Sequence, residues 1–326
     1  MGQIHVGADV RMSDEDVELA SSDGRSTCRG RLWLPVGAEP SASVQIVHGM
    51  AEHIGRYEDF ARALVAQGWA VAGIDHVGHG RTTPEPELRG VCDPARGAQV
   101  MVEDQHRLRT LVQERTGGAP HVVLGHSMGS FVARCYIGEH GEGLAGAVIM
   151  GTGWQGAATL AAGRAVAGLI ALARGWDHRS PLVDGLGVGG YNHRFEGTGA
   201  KTGYEWLSRD PERCLAYAAD PDCGFMFSLS GYRALFDLVG AAQSSRVLQG
   251  TPADLPILVI SGSDDPVGAF GEAPARVFRE LKRAGVDDVE LDLVEGGRHE
   301  ILGETCADDV VAELVEWIAS KTARSS

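Results

Sequence analysis

The segment Gly125-His126-Ser127-Met128-Gly129 restricts the possible folds more than any other stretch of this chain. It follows the apolar run His121-Val122-Val123-Leu124 and precedes Ser130-Phe131-Val132-Ala133-Arg134-Cys135-Tyr136, which has helical character. G-x-S-x-G at a strand-to-helix junction is a nucleophile elbow, a turn that presses its serine into a strained, exposed position. Glycines on either side let the chain turn that tightly. With 45 glycines in the chain the pattern alone is weak, so its surroundings must decide.

Those surroundings alternate. Arg31-Leu32-Trp33-Leu34, Val44-Gln45-Ile46-Val47 and Trp69 to Ile74 have strand character, as does Leu144 to Met150. Helical patterns fall over Tyr57 to Gln67, closed by Gly68, and over Ala98 to Arg115. From Gly151 to about residue 250 clear strands are missing. Alternation resumes with a strand at Pro256 to Ile260, a helix at Ala273 to Ala284, a strand at Val289 to Val294 and a helix at Ala307 to Lys321. Strand–helix alternation on both sides of a break implies an α/β fold: a mostly parallel sheet flanked by helices, with an inserted helical cap. The expected division is a core of residues 1–150 and 251–326 with a cap or lid at 151–250.

Acyl transfer needs, besides a serine, a base, a group that orients the base, and donors for the oxyanion. The expected chain order is serine, acid, histidine. Gly262-Ser263-Asp264-Asp265 follows a late strand and offers two adjacent acids, only one of which can aim inward. Glu295-Gly296-Gly297-Arg298-His299-Glu300 follows the last strand, and His299 is the only histidine after the acids. The elbow neighbour His126 is expected to point away from the site when Ser127 points in. One oxyanion N–H belongs to Met128 at the helix start, where the helix dipole helps. The second is expected from Met50, in His48-Gly49-Met50 directly after an early strand.

Other chemistries fit less well. The net charge of −15 opposes nucleic-acid binding, which depends on neutralising phosphates. His76 and His79 form H-x-x-H, but glycines surround them and no cluster of carboxylates or cysteines accompanies them, so no metal is expected. Gly151-Thr152-Gly153-Trp154-Gln155-Gly156 matches G-x-G-x-x-G with Asp177 downstream, and a second match lies at Gly185, Gly187 and Gly190. A dinucleotide site needs a strand ending near the acid, and Ala171 to Trp176 is poor in β-branched residues. Six scattered cysteines suit a reducing compartment, with a Cys214–Cys223 bridge left open. Without a signal-peptide pattern at the start, the expected location is cytoplasmic. The apolar run Ala157 to Ala173 contains Arg164 and is expected to be too short and weak for a membrane span. It is expected to form a lid that touches lipid surfaces transiently.

Taken together, the motifs resemble a known family. His48-Gly49-Met50-Ala51-Glu52-His53 with Arg56-Tyr57, Asp75-His76-Val77-Gly78-His79-Gly80, the Gly125–Gly129 elbow and Gly297-Arg298-His299-Glu300-Ile301-Leu302 are similar to those of monoacylglycerol lipases and related bacterial lysophospholipases. So are Tyr191 to Phe195, Trp206 to Asp210 and Asp220 to Phe225 in the cap. The resemblance implies an α/β-hydrolase fold and a Ser127–Asp265–His299 triad with Met50 and Met128 oxyanion amides. It selects Asp265 over Asp264. It also implies cofactor-free hydrolysis of carboxylic esters with an apolar acyl chain, lysophospholipase and short-chain or aryl esterase being the alternatives. Glu52, Arg56 and Tyr217 align with residues near the polar end of the acyl tunnel; an ion pair bracing the oxyanion loop is the competing role for Glu52 and Arg56. Leu302 departs from the mammalian pattern, which has a second histidine near the glycerol.

Overall fold

Alternation of apolar side chains between two faces builds the central sheet, seen here in a computed structural model that describes residues 11–187, 190–199 and 201–323. The strands are β1 (Met12–Ala20), β2 (Thr27–Pro35), β3 (Ser43–Val47), β4 (Ala70–Ile74), β5 (His121–His126), β6 (Gly146–Met150), β7 (Ile257–Gly262) and β8 (Val289–Val294). They form one eight-stranded sheet in the order β1-β2-β4-β3-β5-β6-β7-β8. β1 and β2 pair antiparallel, β2 joins β4 antiparallel, and every pair from β4 to β8 is parallel. β1 was not anticipated. Its sequence carries Asp14, Glu15, Asp16 and Glu18, and of its residues only Val17 is fully buried, as suits an edge strand that discourages further pairing.

The helices are α1 (Glu58–Val65), α2 (Gly97–Arg115), α3 (Met128–His140), α4 (Ala157–Arg174), α5 (Pro181–Gly187), α6 (Pro211–Ala219), α7 (Leu229–Ala242), α8 (Ser245–Gly250), α9 (Glu272–Ala284) and α10 (Ala307–Thr322). On one face of the sheet Val44, Leu124, Val148 and Leu258 meet Phe60 and Leu64 of α1 and Leu314 and Ile318 of α10. On the other face Val123, Ile149 and Val259 meet Met101 of α2, Val132 and Tyr136 of α3, and Val277 and Leu281 of α9. Each fully buried aliphatic side chain of this kind contributes about 1.5–3 kcal/mol.

Between β6 and β7 the described residues hold α4 to α8 and no strand. α7 packs on both α3 and α4, whereas α8 lies directly against α3. A Cβ on Gly138 would sit 2.6 Å from the Val247 carbonyl oxygen, so the α3–α8 approach needs glycine there. α4 splits as an amphipathic helix should. Leu160, Ala167 and Ala171 are buried, whereas Leu169 and Leu172 are 69% and 86% exposed. α4 has the length and apolarity of a membrane span, more than its sequence suggested. Arg164 in its middle is held by Asp237 of α7 at 2.6 Å.

Candidate active site

The elbow forms where β5 ends and α3 begins. Ser127 has φ 54° and ψ −121°, a left-handed conformation that side chains rarely adopt. Both flanking glycines are needed. A Cβ on Gly125 would lie 2.3 Å from the Gly129 carbonyl oxygen, and one on Gly129 would lie 2.0 Å from that of Val47. The Ser127 N–H donates to the Met150 carbonyl at 3.0 Å, which fixes the strained turn to β6.

Ser127 Oγ lies 2.8 Å from His299 Nε2, and His299 Nδ1 lies 2.9 Å from Asp265 Oδ2. Asp265 is fully buried and also accepts from the Val267 N–H at 2.8 Å and the Ser261 hydroxyl at 3.2 Å. Burial penalises its charge, but the adjoining His299 and these donors hold its pKa below the ordinary carboxylate value. Asp264 is only partly buried, and its backbone N–H donates to the Gly297 carbonyl. His299 is 2% exposed, and the Trp206 ring packs 5.0 Å from its own.

The loop after β3 runs close under the serine: a Cβ on Gly49 would stand 3.1 Å from Ser127 Cβ. Met50, Met128 and Ser127 line one cavity of about 430 Å³. Its walls include Phe131, Leu207, Tyr217, Phe225, Met226 and Leu235. The Tyr217 hydroxyl donates to the Ala51 carbonyl at 2.9 Å, and burial raises its pKa well above the ordinary phenol.

Glu52 and Arg56 are engaged with the protein itself. Glu52 accepts from the Gly49 N–H and from the Tyr57 hydroxyl at 2.9 Å, and pairs with Arg56. Arg56 donates twice to Glu300, at 2.8 and 2.6 Å, and lies 4.8 Å over the Tyr217 ring. Burial disfavours the Glu52 carboxylate, but Arg56 and His126 outweigh it and keep its pKa well below the ordinary value. These contacts favour bracing of the loop. On the far side of this network a smaller cavity of about 60 Å³ is lined by Arg56, His126, Glu300 and Leu302.

His126 does not leave the site, contrary to the sequence expectation. It turns beneath the serine, with Nδ1 3.1 Å from the Tyr57 hydroxyl and Nε2 3.2 Å from the His299 carbonyl oxygen. As the last residue of β5 it faces the buried side next to Glu52. Burial opposes its protonation, but the Glu52 carboxylate raises its pKa above the ordinary value. Sequence reasoning also assigned no role to Trp206 or Glu300. The Trp206 and Leu207 carbonyls accept the His299 and Glu300 N–H groups at 3.3 and 2.7 Å, joining a distant segment to the histidine loop. Both stood inside recognised motifs, Glu300 beside the histidine and Trp206 in the cap, but neither motif stated what its side chain would meet.

The two decoys resolve locally. His76 and His79 are buried beside His48, and desolvation lowers the pKa of His76 to about 3 and of His79 well below the ordinary value. They serve as neutral hydrogen-bonding rings: the His79 Nε2 accepts the Ala51 N–H at 3.3 Å. In the glycine-rich stretch, a Cβ on Gly151 would stand 3.2 Å from the His126 ring and 3.3 Å from that of His299. Among the described residues no strand ends near Asp177, which lies in an exposed turn after α4. In the second match, residues 188 and 189 lie outside the described residues. Cys214 and Cys223 are both free thiols.

A mostly parallel eight-stranded sheet, flanking helices and an elbow serine define the α/β-hydrolase class. A family profile described as serine aminopeptidase, S33, matches residues 38–306, and the chain belongs to that family. Among similar proteins, a monoacylglycerol lipase of Mycolicibacterium smegmatis is 30% identical over 291 residues, 89% of this chain and 91% of that protein. The human monoglyceride lipase is 28% identical over 309 residues, 94% of this chain and 90% of that protein. A thermostable carboxyl esterase from Bacillus coagulans, solved with glycerol, superposes with a TM-score of 0.87 at 28% identity, over 96% of this chain and 100% of that one. The chain is a carboxylic ester hydrolase, and its substrate is a small-molecule ester or lipid.

Proposed function

We propose that the chain hydrolyses monoacylglycerol-like esters of apolar acyl chains through an acyl-enzyme on Ser127. The observation that carries this reading is the hydrogen-bonded series Ser127–His299–Asp265, at 2.8 and 2.9 Å, opening into a largely apolar cavity. His299, oriented by Asp265, takes the Ser127 proton as Oγ attacks the ester carbonyl. The Met50 and Met128 amides hold the oxyanion. The alcohol leaves with the proton from His299, and water then releases the acid by the same steps reversed. Residues 151–250 act as the cap, and the exposed Leu169 and Leu172 of α4 touch the lipid surface from which substrate is drawn.

A fluorophosphonate should label Ser127 and no other residue, and Ser127→Ala should lose hydrolysis by at least about a thousandfold. Retention of esterase activity in that variant sinks the reading. A series of p-nitrophenyl esters run beside monoacylglycerol, lysophosphatidylcholine and an aminoacyl p-nitroanilide fixes the substrate. Preference for the lysophospholipid or the anilide replaces the monoacylglycerol assignment.

A further inference from the structure

Outside the nucleophile cluster, three side chains of metal-ligand type converge where the loop after β3 meets the segment after α6. His53 Nε2 lies 2.9 Å from Asp220 Oδ2, and with the Cys223 thiol these donor atoms all fall within 4.8 Å of one another. They come from positions 167 residues apart on the His53–Asp220 side, so the fold assembles them. Cys223 is 9% exposed, and the His53 and Asp220 side chains are 22% and 30% exposed, which leaves an entry path.

We propose that His53, Asp220 and Cys223 form a site for a thiophilic divalent cation, zinc being the best fit, that latches residues 220–224 onto the loop carrying Met50. Donor identity selects the metal. A thiolate, an imidazole and a carboxylate suit zinc, whereas magnesium and calcium favour all-oxygen cages. Geometry agrees. Ligands about 2.0–2.3 Å from a tetrahedral ion stand about 3.3–3.8 Å apart. The His53–Asp220 contact needs to open by only a few tenths of an ångström, and the Cys223 sulfur, within 4.8 Å of both partners, is near enough to complete the set by a small side-chain adjustment. Three protein ligands leave a fourth position for water.

The protons balance. Cys223 is a free, buried thiol, and a cation takes it as the thiolate. Metal binding displaces the Cys223 thiol proton to solvent and also the proton that His53 Nε2 directs at Asp220, which passes to Nδ1 or to solvent as Nε2 turns to the cation. The cation's two charges are then matched by the thiolate and the Asp220 carboxylate. Asp220 is held in place for this role: its Oδ1 accepts the Asp222 N–H at 2.8 Å while Oδ2 faces His53.

The position gives the site a consequence. Gly224 N–H already donates to the Ala51 carbonyl at 2.9 Å, and the Tyr217 hydroxyl donates to the same oxygen. Ala51, Tyr217 and Gly224 all line the large cavity. A cation held between His53 and Cys223 adds bonds across that seam, so opening of the seam for substrate entry or product release slows. This effect on turnover rests on the hydrolase reading above; the binding itself does not.

Cobalt titration of metal-free protein tests the binding without reference to activity. One equivalent should produce a thiolate-to-cobalt charge-transfer band, and zinc should abolish it. Cys223→Ser should remove the band, Cys306→Ser should keep it, and His53→Ala or Asp220→Asn should weaken affinity by at least about tenfold. Zinc should slow ester hydrolysis by the unsubstituted protein and leave Cys223→Ser unaffected. Absence of the band, or its survival in Cys223→Ser, overturns the site. Equal zinc inhibition of both proteins overturns the latch, because the cation then acts elsewhere.

Discussion

At the scale of single residues, the elbow depends on two hydrogen atoms. Gly129 has the Val47 carbonyl oxygen 2.0 Å and the His48 carbonyl oxygen 2.5 Å from where a Cβ would stand. Both are backbone atoms in the sheet and its following loop, so no rotamer change relieves the clash. Gly129→Ala should therefore destabilise the fold by about 3 kcal/mol or more, measurable by chemical denaturation. Glu52→Gln acts through charge. Glu52 has a pKa depressed from 4.5, so its contribution is present above that value and is lost as pH falls below it. His126 has a pKa raised from 6.5, so its contribution is complete below 6.5 and is lost as pH rises through the raised value. The stability deficit of Glu52→Gln should thus be greatest between pH 4.5 and 6.5 and shrink on either side. Its maximum should be on the order of 2 kcal/mol, since a buried charged hydrogen bond is lost. Denaturation curves for both proteins across this range check it; a deficit that is flat with pH refutes the coupling.

At the scale of elements, α4 offers two leucines to solvent while its other face packs on α7. Replacing Leu169 and Leu172 together with glutamate should leave thermal stability within about 0.5 kcal/mol, because exposed positions carry little packing energy. Hydrolysis of dispersed monoacylglycerol should fall several-fold, while hydrolysis of a soluble short-chain ester stays unchanged. Equal loss on both substrates speaks against surface contact. The elements also show what a linear reading can recover. Ser127, Asp265 and His299 each follow their own strand, so the parallel sheet brings three local signals to one edge. β1 escaped notice because its acidic side chains hide the alternation of a strand buried on one side only. Trp206, His53, Asp220 and Cys223 all lie in recognised motifs, yet the contact of Trp206 with His299 and the convergence of the other three were not legible, for a different reason. The segment between β6 and β7 folds back over the sheet without a periodic pattern, and nothing local states which loop it will touch. Glu52 and Arg56 left two roles open because a charged pair looks the same in sequence whether it faces a ligand or Glu300.

At the scale of the whole molecule, the charge of −15 bears on the lipid-surface contact proposed for α4. Much of the positive charge is already neutralised internally, as with Arg56 on Glu300 and Arg164 on Asp237. Like-charged surfaces repel over a Debye length, about 30 Å at 0.01 M salt and about 8 Å at 0.15 M. Leu169 and Leu172 reach only a side chain's length beyond α4, so at low salt an anionic vesicle is held off before they can touch it. Substrate embedded in anionic vesicles should therefore be hydrolysed several-fold faster at 0.15 M than at 0.01 M ionic strength. Substrate in zwitterionic vesicles lacks that repulsion, and its rate should change little over the same range. The glutamate substitutions at Leu169 and Leu172 should steepen the dependence on anionic vesicles by adding two negative charges at the point of contact. Comparing the two vesicle types at both salt concentrations decides the matter. A rate on anionic vesicles that falls as salt rises would mean that a local basic surface, not the net charge, governs docking.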